Sequence, residues 1–300
     1  MAQPSYPGSE IPPMAIVVDP VCHGCTANHP SHCEKCVVTN GRCRAYDIGP
    51  WIGVAIVMVT LMTLLALSGV ARGADIRLDL TKYGTPDQTG ILHGRYLIGF
   101  DGRTRCPRWV LERLDSQQVK ASIEREGGFR SDSLIPPEFR VGAADYAGSG
   151  FDIGHMAPFN THRTSDDDGA STFVFSNAAP QVPEFNRGLW RTLEAELHDL
   201  AETQRLWVIT CPLWIPQGGK LSVGTIGKNG VWIPSHCGKA VLIEGAKGVR
   251  LQAWILPNKE LKGRDTKEFV VSTNEFETAA GLDLWTELPD DTEARLEAVR

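Results

Sequence analysis

The feature that most constrains how this chain can fold is an uncharged apolar run of twenty residues near its amino-terminal end. The run, Trp51–Val70, contains no Asp, Glu, Lys or Arg. A helix rises about 1.5 Å per residue, so the run spans roughly 30 Å, the thickness of a bilayer's hydrocarbon core. It predicts one transmembrane helix over residues 51–70, with a buried core helix and a cleaved signal peptide as the alternatives.

The charges beside this run do not orient such a helix. An excess of Lys and Arg marks the cytoplasmic end of a transmembrane helix. Here three basic residues lie on each side, namely Lys35, Arg42 and Arg44 before the run and Arg72, Arg77 and Lys82 after it. The sequence therefore favours neither topology.

The part before the run divides into two segments. Residues 1–20 are rich in proline, glycine and serine, which indicates a flexible tail. Residues 21–47 contain two Cys-x-x-Cys pairs, and four thiolates suit tetrahedral zinc, so we expect a small zinc knuckle held by Cys22, Cys25, Cys33 and Cys36. The ligand set stays open because the gap between the pairs is short, and two disulfides or redox-active thiols are the alternatives.

Residues 75–300 are expected to form one domain of mixed α and β type. Short β-prone runs alternate with Gly, Pro and Asn, and one amphipathic helix follows Asn186, where four leucines recur at helical spacing: Leu189, Leu193, Leu197 and Leu200. This part holds 32 acidic and 26 basic side chains. Such a balance excludes a strongly basic nucleic-acid clamp, so a polyanion would have to meet a local basic patch.

Two polar patterns in this domain suggest a catalytic site. Asp152, Gly154 and His155 follow one another in a glycine-rich stretch that lacks an apolar period. Asn186 and Glu194 are eight residues apart, which brings them within about 80° of the same helix face. A carboxamide oxygen suits magnesium, and a carboxylate two turns away could hold the metal's waters. In the simpler interpretation Asn186 caps the helix and Glu194 is a solvated surface acid.

The stretch "SGFDIGHMAP" resembles the Asp-Arg-Gly-His signature of the DNA/RNA non-specific endonucleases, the endonuclease G-like ββα-metal nucleases. The likeness extends through "STFVFSNAAPQVPEFNRGLWRTLE" and later segments such as "WIPSHCGKAVL" and "AWILPN", from about Ile91 to Pro289. The resemblance implies an α+β fold in which helices flank a central antiparallel sheet. The active site would lie where a ββ hairpin meets a helix.

The same resemblance implies the roles of individual residues. His155 matches the general base, Asn186 the direct ligand of magnesium, with manganese as the alternative ion, and Glu194 the acid that positions the metal's waters. Asp152 matches the first signature residue and would support the loop that carries His155, and Gly154 would let the backbone turn sharply beside that histidine. A neutral imidazole can remove a proton from water near neutral pH, and the metal would stabilise the charge that develops on the phosphate.

The chain departs from the signature at one position, where Ile153 stands in place of arginine. Losing a charged donor at that position would cost on the order of 3 kcal/mol of transition-state stabilisation. A second basic position of the family is His198 here. The candidates that could bind phosphate instead are Arg163, Arg187 and Arg191.

We therefore expect a membrane-anchored, magnesium-dependent endonuclease that cleaves DNA and RNA with little sequence preference, since recognition falls on phosphates rather than bases. The alternatives are a weakened relative that binds nucleic acid or protein, motivated by Ile153, and a zinc-bearing interaction module at the membrane. A nuclease of low specificity endangers its own genome, which favours a single-pass membrane protein with an extracytoplasmic catalytic domain. Family members often pair as homodimers.

Three other groups of residues receive structural interpretations. The acidic run Asp166–Asp168 is expected to be a solvated loop. His236 is assigned to a strand rather than to a metal site. Within the domain the cysteines are odd in number, so at least one of Cys106, Cys211 and Cys237 stays unpaired.

Overall fold

The computed structural model describes residues 36–39, 42–45 and 75–299, apart from positions 88, 125, 126 and 247. The chain divides into two units, Met1–Ser68 and Gly69–Arg300. In the first, β1 (Cys36–Thr39) and β2 (Arg42–Ala45) form an antiparallel hairpin. The expected tail at 1–20, the apolar run 51–70 and the cysteines Cys22, Cys25 and Cys33 lie outside the described residues.

The second unit is built on a seven-stranded antiparallel sheet, as the resemblance implies. Its strands are β3 (Ile91–His93), β4 (Tyr96–Asp101), β5 (Cys106–Leu114), β8 (Arg205–Leu213), β11 (His236–Gly245), β12 (Gly248–Pro257) and β13 (Val270–Val271). They lie side by side in the order β13-β12-β11-β8-β5-β4-β3. The central strands are buried on both faces, so their sequences are nearly continuous apolar runs rather than alternating ones.

Further short elements surround this sheet. Two more antiparallel strand pairs are formed by β6 (Asp152–His155) with β7 (Ala178–Gln181), and by β9 (Thr225–Ile226) with β10 (Val231–Trp232). Short helices are α1 (Ser116–Val119), α2 (Ala143–Tyr146), α3 (Asp166–Ser171) and α4 (Pro183–Phe185). Single 3-10 turns occupy Pro137–Phe139, Phe159–Thr161, Phe175–Asn177 and Thr266–Phe269.

One face of the sheet is covered by α6 (Thr273–Ala280), by α7 (Asp290–Glu297) and by the helical residues 75–80. Trp109 and Trp207 from the sheet pack there with Phe276 of α6 in one apolar cluster. Ser272 and Glu275 form a capping box at the start of α6, which satisfies backbone N–H groups that the helix itself leaves free. This covering layer carries none of the expected site residues.

The opposite face, here called the site face, is covered by α5 (Arg191–Ala201). Leu193 and Leu197 of α5 pack on Val208 and Val241 of the sheet. The helix is preceded by the π-helical segment Asn186–Trp190, where Gly188 departs from helical geometry. The leucine spacing therefore predicted the packed face of α5, and Asn186 begins the segment that leads into it rather than capping it.

One expectation is corrected by this fold, and another is confirmed. Asp166–Asp168 is the first turn of α3 and not a loop, because Ser165 caps the helix and acidic side chains suit a helix amino terminus. Asp168 is moreover buried beside His162. The expectation that at least one cysteine stays unpaired is confirmed, since Cys106, Cys211 and Cys237 are all buried free thiols.

Among the described residues, no helix is long and apolar enough to cross a membrane.

Candidate active site

The β6–β7 ribbon carries the signature stretch and leads directly into the helical segments α4 to α5. Asp152 pairs with Gln181 across the ribbon, and His155 pairs with Ala178. A Cβ atom on Gly154 would lie 2.1 Å from Oε1 of the buried Gln181. Gly154 is therefore needed because Gln181 occupies the space of a side chain, and not because the backbone turns sharply there.

His155 ends β6 at the wall of an open cleft of about 620 Å³. Its half-buried ring lies against two aromatic rings, with centre-to-centre distances of 4.5 Å to Phe129 and 5.2 Å to Phe173. The cleft is lined by Glu124, His155, Pro158, Phe159, Asn160, Arg163, Asn186, Arg187, Arg191 and Glu194. It therefore brings together the expected base, the expected metal ligand and the expected water-positioning acid.

Asp152 joins the ribbon to the helical segment that follows it. Its Oδ2 accepts a hydrogen bond from Asn186 Nδ2 at 2.9 Å, and its two oxygens accept from Arg187 Nε and Nη2 at 2.8 and 2.6 Å. Burial raises the pKa of Asp152, but the bonds from Arg187 and Asn186 outweigh burial and lower it. Because Asp152 holds the amide nitrogen of Asn186, the amide oxygen is the group left to act as a ligand.

Glu194 lies eight residues after Asn186, about two helical turns further along, and its side chain is 21% exposed. Burial raises the pKa of Glu194 to about 7, Glu112 adds to this rise, and Lys239 and the Trp190 indole oppose it. Its Oε1 lies 4.0 Å from Lys239 Nζ and has no hydrogen-bond partner among the described residues. A buried carboxylate oxygen in this position is suited to a cation or to the waters of one.

The three arginines expected to bind phosphate all line the cleft, but they are not equally available. Arg187 is held by both oxygens of Asp152. Arg163 donates from Nε to the Ile123 carbonyl at 2.7 Å, which leaves its two terminal nitrogens. Arg191 is exposed and makes no hydrogen bond or ion pair with the residues that the structure describes.

A buried ion cluster surrounds His162, the residue before the cleft arginine Arg163, and no pattern in the sequence predicted it. His162 is fully buried, with Nδ1 3.2 Å from Asp168 and Nε2 3.2 Å from Glu112. Thr161, beside it, also donates to Glu112 at 2.8 Å. A charged residue inside a β-prone run, such as Glu112 in "WVLERL", is the signal that could have indicated a buried partner. His236, by contrast, begins β11 and bonds Ser235, in agreement with its structural assignment.

The fold and the cleft together define an α+β protein with a candidate hydrolytic site on an antiparallel sheet, and solved structures share this arrangement. A crystal structure titled as the EndoG/EndoGI complex, on the mechanism of EndoG inhibition, matches with a TM-score of 0.69 and 33% sequence identity, covering 71% of this chain and 93% of that one. The family model of the DNA/RNA non-specific endonucleases matches residues 77–291.

Curated relatives agree with the structural match. Human mitochondrial endonuclease G is 36% identical over 214 residues, covering 68% of this chain and 72% of its own. Human mitochondrial nuclease EXOG is 32% identical and is covered over 58% of its length, against 67% of this chain. Endonuclease G of Caenorhabditis elegans is 32% identical, covering 74% of this chain and 77% of its own. The chain belongs to the DNA/RNA non-specific endonuclease family, and it is a nuclease that hydrolyses phosphodiester bonds.

The comparisons overturn the expected localisation. A single-pass membrane protein with an extracytoplasmic catalytic domain was inferred, whereas the relatives are mitochondrial nucleases. The risk that a nuclease poses to its own genome requires only that the enzyme be kept apart from that genome. An organelle can provide this separation as well as a membrane anchor can, so the risk does not predict an anchor.

The residues of the cleft fit the divalent ion on which nucleases of this type depend, for which magnesium is typical. Magnesium prefers oxygen ligands and keeps several of its waters, so one protein oxygen with a nearby carboxylate is a suitable set. Asn186 offers an amide oxygen whose partner nitrogen is fixed, and Glu194 offers an orphaned buried oxygen.

Proposed function

We propose that this chain is a magnesium-dependent endonuclease of DNA and RNA with little sequence preference, in which His155 is the general base. The observation that carries the proposal is the cleft shared by His155, Asn186 and Glu194. His155 comes from β6, Asn186 from the π-helical segment and Glu194 from α5, and all three line the same cleft.

His155 would remove the proton from the attacking water. The rings of Phe129 and Phe173 restrict the imidazole, so it presents its polar edge in a defined direction. An oriented base of this kind contributes about 100- to 10,000-fold to the rate of a proton transfer.

Asn186 would hold the metal ion directly, and Glu194 would hold its waters. When bound, magnesium supplies positive charge against the phosphate and the leaving 3' oxygen. Asp152 fixes the Asn186 side chain by accepting from its nitrogen, so the amide oxygen keeps one orientation. Recognition of phosphate rather than of base edges explains why little sequence preference is expected.

Arg191 and Arg163 are the arginines best placed to bind the scissile or a neighbouring phosphate. Arg187 contributes less, because its guanidinium already forms a bidentate pair with Asp152. Glu124 also lines the cleft and would oppose a phosphate close to it.

Substitution of the base tests this proposal. We expect His155→Ala to lower the cleavage of plasmid DNA and of RNA by about 100- to 10,000-fold in the presence of magnesium. The control is His236→Ala, which removes a half-buried imidazole that does not line the cleft. Cleavage by His155→Ala at the rate of the parent, with the same melting temperature, overturns the assignment.

Ile153 favours one competing function, a weakened nuclease that mainly binds nucleic acid. Its side chain packs at the edge of an apolar cluster, on the same face of β6 as His155 because strand residues alternate. We expect Ile153→Arg to raise the cleavage rate, by roughly tenfold or more if the new guanidinium reaches the phosphate. An unchanged or lower rate means that another group, with Arg191 the first candidate, already supplies the charge.

The Cys-rich segment 21–47 is a separate proposal. Two Cys-x-x-Cys pairs support zinc binding by Cys22, Cys25, Cys33 and Cys36. Metal analysis of the reduced protein tests the idea, and a protein free of zinc ends it. Pairing of the chain into a homodimer is likewise a proposal, which sedimentation of the full chain tests.

A further inference from the structure

A line of buried polar side chains crosses the site face of the sheet. It consists of Glu112 on β5, Thr210 on β8 and Lys239 on β11, and we call these three residues the polar seam. The three strands are neighbours, and Lys239 pairs directly with Thr210 across β8 and β11. At Glu112 the seam lies between Leu114, in the apolar cluster beneath α5, and Val110, in the cluster beneath the β6–β7 ribbon.

Lys239 is the member of the seam that most needs an explanation. Its side chain is 1% exposed, and lysine is almost never buried to this extent unless it is paired. Moving an ammonium out of water has a large desolvation penalty, which is comparable to the attraction that its buried partners provide. Replacement of a buried ion pair by apolar groups is often neutral or stabilising, so stability alone does not account for a lysine here.

The contacts of the Lys239 ammonium indicate what it does. Nζ donates to Thr210 Oγ1 at 2.8 Å and to the Met156 carbonyl at 3.5 Å. Met156 directly follows His155. It lies 4.9 Å from the ring centre of Trp190, at the end of the π-helical segment that Asn186 begins. It also lies 4.0 Å from Glu194 Oε1. One buried cation thus contacts the strand that carries the base and the helix that carries the metal-site acid.

We propose that Lys239 is a positioning residue that holds the Glu194 carboxylate in place for the metal's waters and ties it to the backbone beside His155. Lys239 Nζ lies 4.0 Å from Glu194 Oε1 and attracts it, whereas Glu112 in the same seam repels it. The attraction of Lys239 therefore opposes a rotation of Glu194 away from its place. The inference rests on the function proposed above and adds a residue to it.

A metal-binding assay comes first, because it separates this inference from the proposed function. We expect magnesium to raise the melting temperature of the full-length protein and Asn186→Ala to abolish the rise. Absence of the rise in the parent overturns the metal site itself. With the rise established, the remaining measurements concern Lys239 alone.

Lys239→Met keeps the length of the side chain and removes the charge. We expect the magnesium concentration for half-maximal thermal stabilisation, and for half-maximal cleavage, to increase by about 10- to 100-fold, as for other residues that support metal-site groups. The rate at saturating magnesium should change much less. Ser272→Ala is the matched control, since it removes a cap from α6 on the opposite face and lowers the melting temperature without touching the cleft. An unchanged magnesium requirement in Lys239→Met overturns the inference.

A double-mutant cycle separates positioning from a general structural role. If Lys239 acts through Glu194, Lys239→Met should change the magnesium requirement of the Glu194→Gln variant by less than twofold, although it changes that of the parent. Equal effects in both backgrounds contradict the inference. Should Lys239→Met fail to fold, Thr210→Val decides in its place, because it removes the 2.8 Å acceptor and keeps the charge; we expect a several-fold increase, and no change contradicts the inference.

Discussion

His162 shows how a single residue can be fixed by partners that no local pattern indicates. Burial alone would lower the pKa of His162, but hydrogen bonds to Asp168 and Glu112 outweigh burial and raise it to about 9. Asp168 lies six residues away and Glu112 fifty residues away. The sequence analysis regarded Asp168 as solvated, because neither its helix nor its distant partner is visible in a run of three acids.

The raised pKa of His162 has a consequence for stability. A group whose pKa is higher in the folded than in the unfolded state stabilises fully below its unfolded value, near 6.5, and loses that effect as pH rises through about 9. We therefore expect the free energy of unfolding to fall by up to about 3 kcal/mol between pH 6.5 and 10 because of this group. Urea unfolding across that range measures the effect.

The matched variants isolate the contribution of His162. His162→Gln should flatten the pH dependence, since glutamine carries no proton to release. His236→Gln should leave it unchanged, because burial lowers the pKa of His236 and no carboxylate holds its proton. The same slope in His162→Gln as in the parent contradicts the assignment.

At the scale of elements, the sequence predicted what depends on local spacing. The leucines after Asn186 predicted the packed face of α5, and the β-prone runs predicted strands of the sheet. The π-helical segment could not be predicted, because it depends on the irregular backbone at Gly188 between two helices. The order of the strands depends on pairing between distant segments, and the resemblance to the family implied the central antiparallel sheet but not this order.

The reason for Gly154 is a case where the residue was identified and the cause was wrong. Glycine was expected to permit a turn, but Gly154 lies in strand β6. The buried Gln181 side chain occupies the space that a Cβ atom would need at this position. A Cβ atom would lie 2.1 Å from Oε1 and 2.6 Å from Cγ of Gln181, so the whole side chain would have to move. Gln181 is fully buried and donates to Cys237 Sγ, which limits that movement.

Gly154→Ala should accordingly destabilise the protein by about 1–3 kcal/mol and lower cleavage, since the ribbon that carries His155 would shift. Gly142→Ala is the control, because a Cβ there meets nothing within 4 Å. Combining Gly154→Ala with Gln181→Ala should restore part of the lost stability. Chemical denaturation of the parent and the three variants measures this, and equal effects of the two glycine substitutions refute the steric explanation.

At the scale of the whole molecule, the expectations that failed depended on long-range context. An apolar run of twenty residues indicates length and solvent preference, and not the compartment in which a chain works. The partners of Glu194 illustrate the same limit inside the domain, because Lys239 belongs to a strand that follows much later in the chain. The lysine in the apolar run "HCGKAVLIEG" indicated a buried charge, but the run does not show which residue pairs with it.

The overall charge of the molecule sets how it meets a polyanion. The net charge is -6, and two cleft arginines, Arg163 and Arg191, are not committed to ion pairs with acidic residues. Two or three phosphate contacts predict that DNA affinity falls about 10- to 40-fold between 50 and 200 mM salt. Binding of the His155→Ala variant to a duplex at several salt concentrations measures the slope.

Arg191→Gln should reduce this salt slope by about one, whereas Arg264→Gln, which removes an exposed arginine paired with Glu268, should leave it unchanged. A slope much steeper than that of three contacts would mean that the nucleic acid follows a basic surface well beyond the cleft.

Cys106, Cys211 and Cys237 lie within the sheet, and burial raises the pKa of each thiol. An alkylating reagent can modify them only after the strands have separated, because it needs both access and a thiolate. Mass spectrometry of their peptides over time would thus give the opening rate of β5, β8 and β11 one strand at a time. The three natural thiols therefore report how fast the core opens, and no probe has to be introduced.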